Sequence, residues 1–397
     1  MTSPEALEPR VLFASDPADF VDVIDNAYLP LIPGTTYVYR GLDSEGRSAR
    51  SRVTVLSRTQ IIDGVATTVV RDRQYVANSL VRDSYRFYAQ DTAGAVWCFG
   101  ETNRQVIGDV LVNTDDSWEA GLDGADPAIA MSARRVGDEG TSKSIARVPF
   151  ATFADCLKTR DAETENFHAP GVGLTMTRES GAASTMRLAY LILSPEAFTG
   201  TVDNPYFPLR AGTTLIYRGV DHGASIRLRV NVMSETKQIN GVPATVVRDR
   251  QWEDGQLVED TLSYYAQDKL GNVWFFGEYD RAFEDGVAVT TTSWEAGVDG
   301  ARPAIFMRAA PSTGDLYHIA KVPGLDEDDA RVLGVGPSPK TPLGTFSNSL
   351  SIESSSTTEP NDTETKYYAP EIGLVLEESD DGDETLRLAY VLDGQTT

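Results

Sequence analysis

Apolar and polar residues alternate along much of the chain with a period of two, which is typical of β-strands. The clearest stretch is 71–101, RDRQYVANSLVRDSYRFYAQDTAGAVWCFGE, where β-branched and aromatic residues alternate between turn signals. The same pattern returns at 248–278 as RDRQWEDGQLVEDTLSYYAQDKLGNVWFFGE. The chain is therefore a tandem duplication of one β-rich unit.

Turn residues divide each unit into predicted strands. A strand follows each of the openings DNAYLPLIPGTT and DNPYFPLRAGTT, which proline and glycine punctuate. Asp63-Gly64 and Asn240-Gly241 stand between β-type runs, which is the strongest short-range signal of a hairpin. Each unit is predicted to form an antiparallel meander of about five strands, a crossing loop that contains SWEAG, further strands and a closing hairpin.

The predicted fold class is all-β, with two antiparallel lobes that are strongly curved sheets or open barrels. The N-terminal lobe spans 1–194, with a lead-in at 1–25, and the C-terminal lobe spans 195–397. Only a short linker near 194–202 separates the two units. We therefore expect the lobes to pack against each other.

Composition agrees with a folded soluble protein, and charge narrows its expected partners. The hydrophobic fraction is 41% and the charged fraction 24%, which are ordinary values, but the formal net charge is −24. Excess negative charge repels nucleic acid and anionic membranes, so neither is expected as a partner. The acidic runs 326–329 and 377–384 are predicted to be solvated loops, with a calcium site as the alternative.

Cysteine usage and the N-terminus predict a cytoplasmic location. Phe275 and Ser349 take the places of Cys98 and Cys156 in the second unit, so the fold does not need a disulfide. The opening MTSPEALEPR has neither the basic start nor the apolar core of a secretion signal. No run approaches the ~18 apolar residues of a membrane span.

Motifs for cofactor or metal chemistry are missing from the sequence. The three histidines do not recur between the units, and none stands near the partners that a zinc site or a catalytic triad requires. No glycine-rich phosphate loop opens a helix. The sequence therefore predicts no cofactor and no metal site, with a calcium ion bound by carboxylates as the alternative.

The RDR element has a structural interpretation. If the following turns centre on Asn78 and Gly255, Arg73 lies opposite Asp83, and the matching pair forms in the second unit. Arg71 and Arg248 lie on the same face without an evident partner. They are therefore candidates for a cavity.

The strand AVWCFGE predicts an aromatic pocket wall. Simple alternation places Trp97, Phe99 and Glu101 on one face, and Tyr88 alternates on the neighbouring strand. Such a face suits an apolar pocket with a polar end. The alternative is that the aromatic residues form the core and Glu101 pairs with Arg71.

Two further features suggest acid–base chemistry. In the repeated SWEAG segment a glutamate follows a tryptophan, an environment that can raise the pKa of a carboxylate, although the segment can equally plug the open end of the sheet. His168 takes the place of Tyr368 and is a candidate base near neutral pH, with an ordinary surface histidine as the alternative.

The candidate catalytic residues are Glu101, Glu119, Glu278, Glu295, Arg71 and Arg248. The candidate substrate-binding residues are Trp97, Tyr88, Trp118, Trp274, Tyr265, Trp294 and His168.

The motifs YAPEIGL, YAQDKLGNVWFFGE and DNPYFPL resemble those of a group of uncharacterised β-rich bacterial proteins. Several of those are single-unit secreted or lipid-anchored proteins with a similar YAP-x-x-GL closing hairpin. The resemblance covers most of each unit but implies no activity and no catalytic residues. This chain differs from the group in its two fused units.

The favoured functional hypothesis is a cofactor-independent cyclase or isomerase, cycloaddition included, that acts on a flexible apolar intermediate of polyketide type. Such chemistry needs shape, aromatic walls and one or two hydrogen-bond donors rather than a metal. One alternative is a carrier of a lipid or small hydrophobic molecule. The other is an acidic protein-interaction module, which requires filled lobes.

Overall fold

The computed structural model describes residues 16–133, 143–160, 164–179, 184–319, 328–356 and 363–392. These residues form β-strands joined by turns, so the prediction of an all-β fold is confirmed. Within these ranges the helical elements are two single 3₁₀ turns, Pro17–Asp19 and Pro195–Ala197. No helix in the described ranges is long and apolar enough to cross a membrane.

The strands of the first repeat are β1 Phe20–Val21, β2 Thr35–Leu42, β3 Ser48–Ile62, β4 Val65–Val76, β5 Ser79–Asp91, β6 Val96–Ile107, β7 Val110–Asn113, β8 Trp118–Glu119, β9 Ala128–Met131, β10 Lys143–Val148, β11 Ala151–Arg160, β12 Thr164–Ala169, β13 Gly173–Glu179 and β14 Thr185–Leu193.

The strands of the second repeat are β15 Val202–Asn204, β16 Phe207–Leu209, β17 Thr214–Asp221, β18 Ala224–Ile239, β19 Val242–Glu253, β20 Gln256–Gln267, β21 Val273–Glu284, β22 Val287–Glu295, β23 Ala304–Met307, β24 Leu316–His318, β25 Asp328–Val335, β26 Lys340–Thr341, β27 Gly344–Thr345, β28 Leu350–Ser356, β29 Thr363–Ala369, β30 Gly373–Ser379 and β31 Glu384–Leu392.

Both repeats have the same antiparallel strand order. In the first repeat, β2 to β6 form a meander, and β14 returns to the free side of β2. Strands β13, β12, β11 and β10 then continue the sheet outward from β14. In the second repeat, β17 to β21 form the meander, and β31, β30, β29, β28 and β25 follow on the other side of β17.

The two repeats join through β11 and β24, where Ala151 pairs with Tyr317. Buried contacts reinforce the junction: Arg308 donates to the carbonyl of Pro170 at 2.7 Å, and the Trp274 ring lies 6.4 Å from that of Phe150. One hydrophobic core cluster contains residues of both repeats. The prediction of two curved antiparallel lobes packed together is therefore confirmed, and among the described strands neither lobe closes into a barrel.

The predicted hairpins form where the turn residues can adopt left-handed backbone angles. Asp63 and Gly64 have φ of 47° and 80°, and Asn240 and Gly241 have 51° and 79°. A two-residue turn that follows the twist of its strands requires positive φ at both positions. These short turns fix the register of β3 with β4 and of β18 with β19.

A β-bulge in β6 changes the faces that simple alternation predicts. Phe87 pairs with Gly100 while Tyr88 pairs with Cys98, so Phe99 is an extra residue on β6. A Cβ atom at Gly100 would lie 2.7 Å from the carbonyl oxygen of Trp118, so glycine is required there. The bulge recurs in β21 of the second repeat.

Candidate functional site

A cavity of about 560 Å³ lies inside the first repeat. Strands β2 to β5 form one wall, and β11 to β14 form the other. The apolar part of the lining is Leu29, Pro30, Leu31, Tyr37, Tyr39, Val53, Val70, Tyr88, Ala130, Leu174 and Met186. The polar part is Ser51, Asp72, Gln74, Arg86, Thr159, Thr164, Asn166, His168 and Thr177. The cavity therefore combines an apolar body with a cluster of hydrogen-bonding groups.

Two tyrosines form a stiff aromatic wall of the cavity. The hydroxyl of Tyr37 donates to the carbonyl of Pro30 at 3.0 Å, and that of Tyr39 donates to the carbonyl of Leu174 at 2.9 Å. Their rings stack with centroids 6.5 Å apart. Because both hydroxyl protons are already used, these residues offer a ligand mainly their ring faces.

The polar end of the cavity centres on Asp72. Its carboxylate accepts from the hydroxyl of Ser51 at 2.6 Å and from the amide of Gln74 at 3.0 Å. One strand further on, Arg86 lies 2.9 Å from Glu101, which it faces directly in register. The carboxylate of Asp72 is therefore hydrogen-bonded and that of Glu101 is paired with a cation, both at the polar end of the cavity.

His168 lies buried in the opposite wall. Its Nδ1 is 3.0 Å from the carbonyl oxygen of Tyr28, a contact that requires a proton on Nδ1. Burial lowers the pKa of His168 to about 4. At neutral pH the ring is therefore uncharged, and Nε2 carries a lone pair.

Tyr88 stands on the wall of β5 next to Arg86. Burial raises the pKa of Tyr88 to about 12, so its hydroxyl keeps its proton at neutral pH. The lining of the cavity thus contains an uncharged base and a phenolic donor.

Larger side chains fill the corresponding interior of the second repeat. Phe275 stands where the first repeat has Cys98, and Phe306 stands where it has Ala130. Tyr265 stacks on Phe275 with centroids 5.1 Å apart and meets Phe306 at 5.0 Å. This aromatic cluster packs the space that is a cavity in the first repeat.

The polar end of the second repeat is acidic. Glu259, Ser263 and Asp280 replace Arg82, Arg86 and Asn103. Asp249 corresponds to Asp72, but Leu228 stands at the position of Ser51 and offers no hydroxyl. Asp249 Oδ1 is buried without a hydrogen-bond partner.

Burial and neighbouring carboxylates raise the pKa values of these acidic side chains. Burial, together with Glu259 and Glu278, raises the pKa of Asp249 to about 7. Burial and Asp280 raise the pKa of Glu278 to about 7 as well. The second interior therefore holds carboxylates that are only partly ionised at neutral pH.

The structure brings three of the sequence candidates together: Tyr88 and His168 line the cavity, and Glu101 pairs with the cavity residue Arg86. His168 is buried, so the alternative of an ordinary surface histidine is wrong. Glu101 pairs with Arg86 and not with Arg71, because the bulge in β6 turns Glu101 toward the cavity side.

The cavity assignment is wrong for Arg71, which does not line the cavity of the first repeat, whereas Arg248 does line a pocket of about 650 Å³ on the outer face of the second repeat. Arg73 does lie opposite Asp83 in register, as predicted, but it is Arg71 that bonds Asp83 through two contacts of 2.8 Å. Arg248 bonds Asp260 in the same way. Both arginines lie on the outer face of the sheet, because cavity residues alternate with them along the strand.

The prediction that Trp97 and Trp274 line an aromatic pocket wall is wrong. The bulge places Trp97 on the face opposite Glu101, and its indole donates to Asp91 at 2.8 Å. Trp274 likewise donates to Asp268 and is buried at the junction of the repeats.

The SWEAG residues divide between the two repeats. Trp118 packs beside a small satellite core of the first repeat, and Glu119 pairs in register with Gly100. Trp294 is buried edge-on against Phe275 in the filled interior. Glu295 forms an ion pair of 2.6 Å with Lys237.

Among the residues that the structure describes, two groups of potential cation ligands occur, both in the second repeat: His222 with Asp381 and Asp383, and Glu364 with Glu377 and Glu384. The first group is fully exposed. In the second, Lys366 Nζ lies 3.0 Å from Glu364, so the chain supplies its own positive charge. Residues 326 and 327 of the other acidic run lie outside the described residues.

Sequence reasoning missed most of the polar lining. Asp72, Gln74 and Arg86 all belong to the repeated stretch, and period-two alternation already places Arg86 beside Tyr88. The differences between the repeats could have indicated this lining, because Ser263 stands at the position of Arg86 and Leu228 at the position of Ser51.

No protein-family model matches the chain, and a search of curated proteins found no match. Two solved structures resemble part of it. One, from Bacteroides fragilis, is provisionally described as an exported protein with a YmcC-like fold; it is 12% identical, with 48% of this chain and 100% of that chain covered and a TM-score of 0.31. The other, from Parabacteroides distasonis, is provisionally described as a lipoprotein; it is 15% identical, with 48% and 99% covered and a TM-score of 0.25.

Proposed function

We propose that the first repeat binds a small amphipathic molecule in its cavity. The observation that carries this proposal is the combination of about 560 Å³ of space, an apolar body and a polar end. Binding sites for small molecules have volumes of about 300–1,000 Å³ and join an apolar lining to a few placed polar groups. An acidic interaction module requires filled lobes, so the cavity supports the other hypotheses over it.

The lining indicates the chemistry of the ligand. Asp72 and Glu101 carry two negative charges against the one positive charge of Arg86, so the polar end disfavours an anionic group and suits an uncharged hydroxyl, carbonyl or amide group. The rings of Tyr37 and Tyr39 suit a flexible apolar or aromatic body. An intermediate of polyketide type, with alternating carbonyl and methylene groups, has this character.

A cofactor-independent isomerase or cyclase is the second candidate, and His168 is the observation that favours it. The Nε2 lone pair can take a proton from a carbon next to a carbonyl group, while Tyr88 or Arg86 donates to the enolate oxygen that forms. Return of the same proton from Nε2 to another carbon completes an isomerisation with no oxidant or reductant.

Ligand binding is tested with the Ala130→Phe variant, which puts the aromatic side chain of the second repeat into the first cavity. Native mass spectrometry of the protein with an extract of its cells should show a small molecule retained by the wild type and lost in the variant. Ala130→Ser keeps the space and is the matched control. Equal retention by all three proteins would contradict the cavity as the site.

Catalysis is tested by comparing metabolites from cells with and without the gene. Accumulation of an isomer of the lost product supports the enzyme. The His168→Asn variant can keep the bond to the carbonyl of Tyr28 but lacks the Nε2 lone pair. If that variant binds the accumulated compound and fails to convert it, the enzyme hypothesis holds; an unchanged metabolite profile favours the carrier.

A further inference from the structure

Arginines face arginines across the strands on the outer side of the first repeat. Arg187 lies opposite Arg40, and Arg40 lies opposite Arg50. Cavity residues such as Tyr39 alternate with them along the strand, so this row lies on the face turned away from the cavity. Neighbouring strands are about 4.8 Å apart, which makes the row a dense line of positive charge.

A second row runs beside the first. Arg52 lies opposite Arg73, Arg73 opposite Asp83, and Asp83 opposite Arg104. Arg71 and Arg104 both bond the single carboxylate of Asp83. The two rows together form a patch with seven arginines and one buried aspartate.

The second repeat carries the same patch at the matching register positions. We call each patch an arginine array. The array of the first repeat is Arg40, Arg50, Arg52, Arg71, Arg73, Arg104 and Arg187. The array of the second repeat is Arg218, Arg227, Arg229, Arg248, Arg250, Arg281 and Arg387. The interiors of the repeats have diverged, whereas all seven arginines stand in both outer faces.

Most of the first array is electrostatically uncompensated. Arg40, Arg50, Arg52 and Arg187 are exposed, and no carboxylate of the described residues lies within 4 Å of them. Like charges directly opposite each other destabilise a sheet. The arrays also stand in a chain whose net charge is −24. Such a concentration of unpaired guanidinium groups points to an anionic partner.

Aromatic side chains stack on several arginines of each array, most closely on Arg50 and Arg227. The guanidinium carbon of Arg50 lies 4.4 Å from the ring centroid of Tyr75, and that of Arg227 lies 4.1 Å from that of Trp252. A stacked guanidinium stays flat on the sheet with its N–H groups at the edge. Arginine in this form suits phosphate oxygens better than a mobile lysine does.

Exposed aliphatic residues decide between the classes of phosphate-bearing partner. Leu42 follows Arg40 by two residues and Val220 follows Arg218 by two, so each shares the face of its array. They are 45% and 48% exposed. A nucleic-acid backbone gives an isolated aliphatic side chain no apolar partner, whereas the boundary between lipid headgroups and acyl chains does.

We propose that the arginine arrays dock the protein onto an anionic phospholipid surface. The unpaired guanidinium groups bind lipid phosphates, and Leu42 and Val220 enter the headgroup boundary. The local field of the arrays, rather than the net charge of the chain, then governs the encounter. The net charge alone led to the opposite expectation, that an anionic membrane is repelled.

The test is sedimentation with vesicles of phosphatidylcholine alone or with phosphatidylserine added. The wild type should bind the phosphatidylserine vesicles, and binding should weaken with salt. The triple variants Arg40→Gln/Arg50→Gln/Arg52→Gln and Arg218→Gln/Arg227→Gln/Arg229→Gln should each lose roughly a hundredfold in partition coefficient, as expected for three lost surface contacts. These variants relieve repulsion between exposed charges, so the fold should persist, and melting temperatures check this.

The matched control is Arg47→Gln/Arg210→Gln/Arg331→Gln, which removes the same charge from exposed arginines outside the arrays. It should bind vesicles like the wild type. Equal loss in this control, or equal binding to both kinds of vesicle, overturns the proposal. The Leu42→Ser/Val220→Ser variant distinguishes a lipid phosphate from a nucleic-acid phosphate. It should weaken binding to vesicles and leave any binding to duplex DNA unchanged. Strong binding of duplex DNA without vesicle binding would assign the arrays to nucleic acid and refute a lipid partner.

Discussion

The two repeats use the same strand order and the same outer arginines to enclose different interiors. The first interior is a cavity whose lining includes Ala130 and His168, and the second is an aromatic cluster around Phe275 and Phe306. A sheet tolerates this divergence because its register depends on backbone pairing and turns, whereas the space inside depends on a few side-chain volumes. On the proposed function, the first interior is the one that binds the ligand, because the second interior holds an aromatic cluster at the matching place.

The electrostatic contrast is as clear as the contrast in volume. Arg86 supplies a cation inside the first repeat, and its counterpart Ser263 does not. Separately, burial lowers the pKa of His168 to about 4 in one interior, and burial with Glu259 and Glu278 raises the pKa of Asp249 to about 7 in the other. The two interiors should respond in opposite ways to pH.

The largest expected effect is on the filled interior. Phe306→Ala removes a ring that contacts Phe207 and Tyr265 at 4.6 and 5.0 Å, and it should lower the free energy of unfolding by about 3 kcal/mol. The reciprocal Ala130→Phe places its ring in existing space and should cost about 1 kcal/mol or less. Urea denaturation measures both. Equal costs would mean that the first interior is not a true cavity in solution.

The next largest loss of unfolding free energy should be the same in both repeats, because it comes from ion pairs on the outer face that both repeats share. Asp83→Asn and Asp260→Asn each leave two arginines without their carboxylate. Loss of one partner from a buried ion pair costs about 3–5 kcal/mol, and since these arginines reach solvent we expect about 2 kcal/mol. Clearly different losses of unfolding free energy in the two variants would show that the outer faces are not equivalent.

Much of the shared scaffold was predictable from the sequence, and much of the difference was not. Alternation and the Asp63-Gly64 turn predict strands and register, and Arg73 does lie opposite Asp83. The bulge at Phe99 was not predictable, because the extra residue is required by the close approach of a distant carbonyl to Gly100. The cavity itself depends on side chains from strands far apart in the chain, whose contacts no local pattern contains.

The raised pKa of Asp249 predicts a loss of stability toward high pH. Its carboxyl has a pKa of about 7 when folded and about 3.8 when unfolded, so the folded state binds more protons between these values. Stability is then greatest below pH 4 for this group and falls as pH rises through 7. Asp249→Asn should flatten this fall and be more stable than the wild type at pH 8. Urea denaturation at several pH values provides the measurement, and an unchanged slope in the variant would contradict the assignment.

The smallest expected effect has the opposite sign and belongs to His168. Its pKa is about 4 when folded and about 6.5 when unfolded, so the unfolded state binds more protons in this window. Stability from this group is complete above pH 6.5 and is lost as pH falls through 4. Each unit of difference between the folded and unfolded pKa changes the free energy of unfolding by about 1.4 kcal/mol. The effect at His168 should be smaller because the cavity admits water. His168→Asn keeps the bond to Tyr28 without the titration, so it should remove the acid-side loss and leave the alkaline fall intact. If His168→Asn removed both the acid-side and the alkaline loss of unfolding free energy, the two interiors would titrate as one unit. The repeats would then differ in the volume of their interiors but not in their response to pH.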